Sequence, residues 1–284
     1  MMTSLHEKKP HLYPGLDLGY SDSKCAKTNF DEQCSGMEIN TDHVVLHTYQ
    51  RVKLIPNVDV FSMKLETYMR ISKIPYKLDS KDWCKGPKNT VPWIDIDGIK
   101  IEDSGVIMRR LNEMFKVDLN EHLSDEEKAT AWPVQKWLEE YTYWLNYHSR
   151  WYMYWDDLVV NMFECPAALN KLIRIPARWW QKKQTKAVGI GKHTDEEVNE
   201  MIIKDLEQFA KLLGDKKFIM GDIISEVDCA AFGILSQIRW CTPKSCPGYQ
   251  LLTGGKQQNV MDYLDRIKDV YWPDWEKICA ESKC

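Results

Sequence analysis

Two short stretches carry the residue types from which a peptide-binding site can be built. Glu102-Asp103-Ser104 stands just ahead of a run with apolar residues at 107, 108, 111, 114 and 115. That spacing puts one apolar stripe on a helix. A helix that starts on Asp and Ser offers an anion its free backbone N–H groups and the positive end of its dipole. Val91-Pro92-Trp93 opens an alternating run to Ile101, interrupted by the turn pair Asp97-Gly98. An Asp-Gly pair between alternating apolar positions signals a hairpin. A proline-fixed strand start beside a polar helix N-terminus suits an extended peptide with a free carboxylate.

These stretches must be held by their neighbours. His43 to Tyr49 reads as a short strand, and a loop with Pro56-Asn57 follows. Phe61 to Ile74 reads as a helix with Leu65, Tyr68 and Met69 inward, and Tyr76-Lys77-Leu78 as a second strand after Pro75. With the hairpin and the helix to Phe115, residues 43–117 form a β-α-β-loop-β-β-α unit. Val117 to Leu123 is a linker. Ser124 with Glu127 then makes a capping box, and from residue 124 to 284 the pattern is helical with almost no strand signal. A second box at Ser225 and Asp228, with Asp in place of the usual Glu or Gln, precedes Cys229–Ile238. That run is too apolar for a surface helix and is expected to be the central helix of an all-α domain. Residues 1–40 mix Lys, Asp, Ser, Gly and Pro and read as a mostly disordered tail. The fold class is therefore an α/β N-terminal domain followed by an all-α C-terminal domain.

Bulk properties exclude several classes. The 284 residues are enough for two cores. Against 38 Lys and Arg stand 42 Asp and Glu, a net charge of −4, which gives no support to nucleic-acid binding. No apolar run approaches the roughly 20 residues that span a bilayer, and the N-terminus lacks the apolar core of a signal peptide. Nine cysteines are scattered without metal spacing, so no metal site is expected and reduced thiols fit better. A cytoplasmic protein without an integral membrane segment is the expectation. Tyr141 to Trp155 packs aromatics densely enough to fill a helix-bundle core, to wall an apolar ligand site, or both on different faces.

Taken in order along the chain, several motifs resemble the failed-axon-connections family. They are Met63-Lys64-Leu65-Glu66-Thr67, Val91-Pro92-Trp93-Ile94, Glu102-Asp103-Ser104, Gly189-Ile190-Gly191 with His193, and Glu196-Glu197. Further on come Asp205-Leu206, Gly221-Asp222, Asp228, Phe232 and the closing run Trp272-Pro273-Asp274-Trp275 through Cys279. The likeness spreads over residues 43 to about 281. The family is a branch of glutathione-transferase-like proteins related to metaxins and to cadmium-responsive nematode proteins. The resemblance implies a thioredoxin-like domain at 43–117, a glutathione-transferase-type helical domain at 124–284, and a glutathione site by descent.

What the resemblance implies falls on named residues. Val91 offers its backbone to the cysteinyl part of glutathione, and Pro92 is cis. Asp103 and Ser104 hold the γ-glutamyl end, with Asp103 accepting from the ammonium and Ser104 with the helix N–H groups taking the carboxylate; capping of the helix alone is the competing role. A lysine between Lys77 and Lys88 meets the glycyl carboxylate. Transfer needs a thiolate, while a free thiol titrates near ~8.5, so a hydroxyl or thiol donor must sit near the sulfur. Here the chain departs from its family. Where Ser-Pro-aromatic-Cys is common, it reads Asp59-Val60-Phe61-Ser62. Asp59 repels a thiolate but suits a helix N-cap. Ser62 and Tyr49 are the candidate catalytic donors, against ordinary structural roles for both. Arg51 can pair with a glutathione carboxylate or with a thiolate, or stay solvated, and His193 and Arg150 match the family without a derivable role.

Two readings follow. One is a transferase of weak or specialised activity that joins glutathione to a small hydrophobic electrophile, or reduces it, as a homodimer like most cytosolic transferases. The other is a non-catalytic module that uses the same fold to bind a hydrophobic ligand or a protein partner. Loss of the family's cysteine and the carboxylate at 59 favour the second; Val91-Pro92 and Asp103-Ser104 favour the first.

Overall fold

Strand alternation decides which face of the small sheet is covered. The computed structural model describes residues 44–80 and 86–282, so the tail expected at 1–40 lies outside the described residues. Four strands, β1 (Val44–His47), β2 (Lys77–Asp79), β3 (Trp93–Ile96) and β4 (Ile99–Glu102), lie in the order β2-β1-β3-β4. β1 pairs parallel with β2 and antiparallel with β3, and β3 pairs antiparallel with β4. The register sets Leu78, Leu46, Ile94 and Ile101 in one line across the sheet, with Leu46 and Ile94 fully buried. Lys77, Val45, Asp95 and Lys100 alternate to the other face. Asp97 and Gly98 both take positive φ, at 51° and 87°, as a two-residue hairpin turn of this hand requires.

Helix α1 (Val60–Ile71) is shorter than its apolar pattern suggests, because Lys73 turns the chain at φ 56° ahead of Pro75. It is enclosed on nearly every side, with Val60 and every residue from Ser62 to Met69 buried. After the hairpin comes α2 (Ser104–Phe115), and the helical part begins at α3 (Asp125–Trp137), where the Ser124–Glu127 capping box is formed as expected. The aromatic stretch is not one continuous helix. Short π-helical turns at Leu138–Thr142 and Ser149–Met153 flank α4 (Tyr143–His148). Then follow α5 (Ala167–Ala187), α6 (Asp195–Leu213), α7 (Glu226–Trp240), α8 (Pro247–Thr253), α9 (Gln258–Tyr271) and α10 (Trp275–Glu281).

The apolar run at 229–238 is the centre of α7, in which every residue from Val227 to Ile238 is buried. Gly233 lets α7 reach α1. A Cβ there would stand 2.7 Å from the Val60 carbonyl oxygen and 3.0 Å from the Lys64 amide nitrogen. No side chain fits that gap without moving one of the helices. Asp228 is held by the Ile219 and Ser225 amides, each at 2.9 Å, and by the hydroxyl of Tyr263 at 3.0 Å. It fastens the start of α7 to its flanks. In the 189–193 motif, Gly189 takes φ 97°, and Gly191 passes so close to Thr185 that a Cβ would meet its hydroxyl at 2.6 Å. His193 meets Glu197 at 3.3 Å on the surface, beside the Thr194–Glu197 capping box of α6.

Glu66 of α1, fully buried, is the centre of a charged network. Its oxygens accept from Arg51 at 2.8 and 2.6 Å, from Asn57 at 2.7 Å and from Tyr76 at 2.9 Å. Arg51 therefore meets a carboxylate of its own chain, and this structural pairing replaces the ligand contact considered for it. Arg70 extends the network to the C-terminal motif. It donates to Asp274 at 2.6 and 3.0 Å and lies 3.9 Å over the Trp272 ring, while Trp272 donates to Thr67 at 3.1 Å. The closing run that marks the family resemblance is thus a clamp on α1.

Two stability predictions follow from buried charge. Glu66→Ala leaves Arg51 facing an empty low-dielectric site and should lower the unfolding free energy by about 3–5 kcal/mol, read from urea unfolding. His148 is fully buried; Nδ1 lies 2.8 Å from the Thr185 hydroxyl, and Nε2 has no hydrogen-bond partner among the described residues. Burial pushes its pKa from 6.5 down to about 4, since the charged ring would carry an unpaired N–H into the core. The unfolded chain therefore takes up the proton first. The contribution of His148 is complete above pH 6.5 and lost as the pH falls toward 4. Urea unfolding of wild type and His148→Gln across that range should show a shallower acid slope in the variant.

Candidate functional site

Register brings the candidate residues to one end of the sheet. His47, the last residue of β1, pairs with Trp93, the first of β3, and Trp93 pairs with Glu102, the last of β4. Tyr49 just after β1, Val91-Pro92 just before β3, and Asp103-Ser104 just after β4 therefore share that edge. The chain leaving β1 also leads there into α1, whose N-cap is Asp59. The Val91–Pro92 peptide bond is cis.

Glu102 organises the approach to the proline. Both of its oxygens accept from the Lys88 amide at 2.8 Å, and one accepts from the Thr90 hydroxyl at 3.3 Å. Gly86 passes so near that a Cβ would overlap the Glu102 carboxylate. Lys77 and Lys88 are both exposed; residues 81–85, with two further lysines considered for the glycyl carboxylate, lie outside the described residues.

Asp103 caps α2. One carboxylate oxygen accepts from the Gly105 and Val106 amides, at 2.9 and 3.0 Å, while the backbone is held at φ 74°. A non-glycine residue in that region is strained, and such strain clusters at functional positions. Ser104 is 7% exposed, and Lys64 of α1 lies beneath it with Nζ 3.5 Å from its hydroxyl oxygen. Lys64 is itself buried and pairs with Glu139 at 2.5 Å; Glu139 also accepts from Lys136 at 2.8 Å and Gln135 at 2.9 Å. Burial acts to raise the Glu139 pKa, but the two lysines and the glutamine outweigh it and hold the carboxyl below its usual range. Its hydrogen bond to Glu139 raises the Lys136 pKa, and Asp103 adds to that, which places Lys136 within the electrostatic reach of Asp103. Both lysine ammoniums are answered by Glu139, and they stand beside the positive end of the α2 dipole.

The first turn of α1 is a different environment. Asp59 accepts from the Ser62 amide at 2.6 Å, as an N-cap should. Burial raises its pKa, opposed by its contact with Ser62 and by the charge of Arg150. Arg150 is 2% exposed, donates to the Cys241 sulfur at 3.2 Å, and has an Nε unpartnered among the described residues. Ser62 is completely enclosed, and its hydroxyl has no hydrogen-bond partner among the described residues. Tyr49 is half-buried in the loop beyond β1, and burial, followed by the charge of Asp59, raises its pKa. Phe61 meets Tyr143 at 5.1 Å, and Tyr143 in turn contacts Trp144 and Tyr147 at 5.0 and 5.7 Å. Part of the aromatic stretch thus faces the start of α1, while Trp155 is buried elsewhere against Asn170.

Sequence reasoning missed the roles of Lys64, Glu102, Glu139 and Arg150. Lys64 carried a usable signal: it lies on the same helical face as Val60 and Tyr68, both core residues. The partnership with Glu139 joins residues 75 apart in sequence and leaves no periodic trace.

Comparison with known proteins fits this arrangement. Residues 60–157 match the family model for the glutathione S-transferase N-terminal domain, and residues 202–267 that for the glutathione S-transferase C-terminal domain. Failed axon connections of Drosophila melanogaster is 26% identical over 90% of this chain, which spans 62% of that protein's length. Isoprene-epoxide–glutathione S-transferase of a Rhodococcus strain is 26% identical over 76% of this chain and 94% of its own. Metaxin-2 of Mus musculus is 20% identical over 76% of this chain and 83% of its own. Among solved structures, the beta-etherase LigF of a Sphingobium strain superposes with a TM-score of 0.55 at 16% identity, covering 79% of this chain and 94% of its own. That likeness bears on the fold: a thioredoxin-like α/β part followed by an all-α part. With both domain models matched in order over more than half of its length, the chain belongs to the glutathione-S-transferase-like family that includes failed axon connections.

Proposed function

We propose that this chain binds glutathione at the sheet end formed by Val91-Pro92 and Asp103-Ser104 and uses it, with low intrinsic reactivity, on small apolar electrophiles. The observation that carries the reading is the buried Lys64 ammonium 3.5 Å from the Ser104 hydroxyl, at the N-terminus of α2 and beside the cis Val91–Pro92 turn. An ammonium, a hydroxyl and the positive end of the α2 dipole in one corner suit the α-carboxylate of a γ-glutamyl group. Asp103 would accept from its ammonium, and Val91 would pair with the cysteinyl backbone as an added strand. In this reading residues 43–117 form the glutathione-binding domain and 124–284 the helical domain of a cytoplasmic homodimer.

The thiol then points toward the first turn of α1 and the aromatics at 143–147. Tyr49 is the donor we assign to it: raised by burial and by Asp59, its phenol keeps its proton at neutral pH and can donate to a thiolate. Ser62 would serve only after a local opening, because its hydroxyl is enclosed. Asp59 acts against ionisation, and the Arg150 charge offsets part of that repulsion. Epoxides, the class named for the Rhodococcus relative, are the first electrophiles to screen. A second reading keeps the fold as a binding module without chemistry; the carboxylate at the head of α1 favours it.

Calorimetric titration with glutathione and S-hexyl-glutathione tests the site. Binding in the micromolar to low-millimolar range is expected, weakened roughly tenfold by Ser104→Ala, the loss of one charge-assisted hydrogen bond. Absence of binding by either ligand would remove the glutathione reading and leave the module. The ultraviolet thiolate band of bound glutathione tests the donor. Tyr49→Phe should raise the apparent thiol pKa, and Ser62→Ala should leave it in place. Asp59→Ser, which keeps a good N-cap, should lower that pKa and increase turnover of a reactive electrophile.

A further inference from the structure

Helix α5 is amphipathic in the wrong sense for a core helix. Of its 21 residues only Asn170 and Thr185 are buried, and both dock through hydrogen bonds: Asn170 with Trp155 and Asp156, Thr185 with His148. The apolar side chains point outward. Leu172, Ile175 and Trp179 recur at i, i+3 and i+7, so they lie in one line, and they are 76%, 75% and 63% exposed. Leu169 and Trp180 widen the line at 48% and 51% exposure. Single exposed apolar residues are ordinary, but a contiguous stripe of five large ones marks a contact surface.

The charges on the helix name the contact. Its 21 residues include six Lys and Arg and no Asp or Glu, within a chain of net charge −4. Arg174 is spent on Asp156 at 2.9 Å, and Arg178 and Lys182 lie over the Tyr152 ring at 4.9 and 4.4 Å. Lys171, Lys183 and Lys186 are exposed and form no ion pair among the described residues. Lys183 stands 5.5 and 5.8 Å from the rings of Trp179 and Trp180. A line of Leu and Ile that ends on two tryptophans, with long amines beside and beyond it, matches the layered chemistry of a lipid headgroup region. There the rings and Leu/Ile enter the acyl boundary while the amines reach back to phosphates. Among the described residues no helix is long and apolar enough to cross a membrane, so the contact is peripheral.

We infer that the outward face of α5 docks the protein on a bilayer surface rich in anionic phospholipid. The test is flotation of the full chain with phosphatidylcholine vesicles, with and without phosphatidylserine. The expected result is retention on phosphatidylserine vesicles that weakens as salt is raised. Retention should fall by roughly tenfold or more in Leu172→Glu/Ile175→Glu/Trp179→Glu and in Lys171→Glu/Lys183→Glu/Lys186→Glu. All six positions are exposed, so both variants should keep the wild-type melting curve. A parent chain that does not float with anionic vesicles overturns the inference, as do folded variants that float like the parent. It is also overturned if the apolar variant turns a dimer into a monomer in sedimentation while no chain floats, for the stripe is then a self-association surface.

Discussion

Helix α1 packs against α7, with α2 and α9 also in contact, and each charged group it buries must be answered from another element. Lys64 and Glu66, two residues apart, project to different surroundings and are both buried. Isolated, either charge would cost several kcal/mol in a low-dielectric interior. Lys64 is answered by Glu139 at the start of the π-helical turn, and Glu66 by Arg51, Asn57 and Tyr76. Arg70, at the last turn, is answered by Asp274 beyond α9. The same helix therefore fixes the Ser104 corner, the loop after β1 and the C-terminal run. Buried ion pairs of this kind add little net stability compared with apolar packing, but they admit few alternative arrangements. Their effect here is positional.

This explains why the site has two parts of unlike character. The Ser104 corner is rich in donors, with Lys64 and Lys136 paired to Glu139 beside the positive end of the α2 dipole. The Asp59 end is acidic and aromatic, with Arg150 buried behind it. A dipeptide-like ligand with a carboxylate at one end and a neutral thiol at the other matches this division better than one with a preformed thiolate. On the function proposed above, the parts that recognise are kept and the part that activates is altered.

Much of the framework was legible in the residues. Asp97-Gly98 specified its turn, Ser124 and Glu127 their cap, and Cys229–Ile238 the central helix, because each rests on local chemistry or a short period. The roles of Lys64, Glu66 and Arg51 were not legible, for a physical reason. Charged residues on an amphipathic helix ordinarily mark its solvated face, and α1 has almost no such face. The π-helical turns around α4 widen the backbone without any turn residue to announce them. The outward stripe of α5 has the same spacing as an inward one, and periodicity alone carries no direction.

The contact at Gly233 bears on how such a chain can change. There α7 meets α1 backbone to backbone, with the Val60 carbonyl filling the space a Cβ would take. Residue 233 gives up about 1 kcal/mol of helix propensity relative to alanine for that approach. Because the joint is made by main-chain atoms, it is indifferent to the side chain next door at position 59. A hydroxyl, a thiol or a carboxylate can occupy that position while the helices stay seated. The residue at the head of α1 can therefore change among capping side chains without unseating this joint.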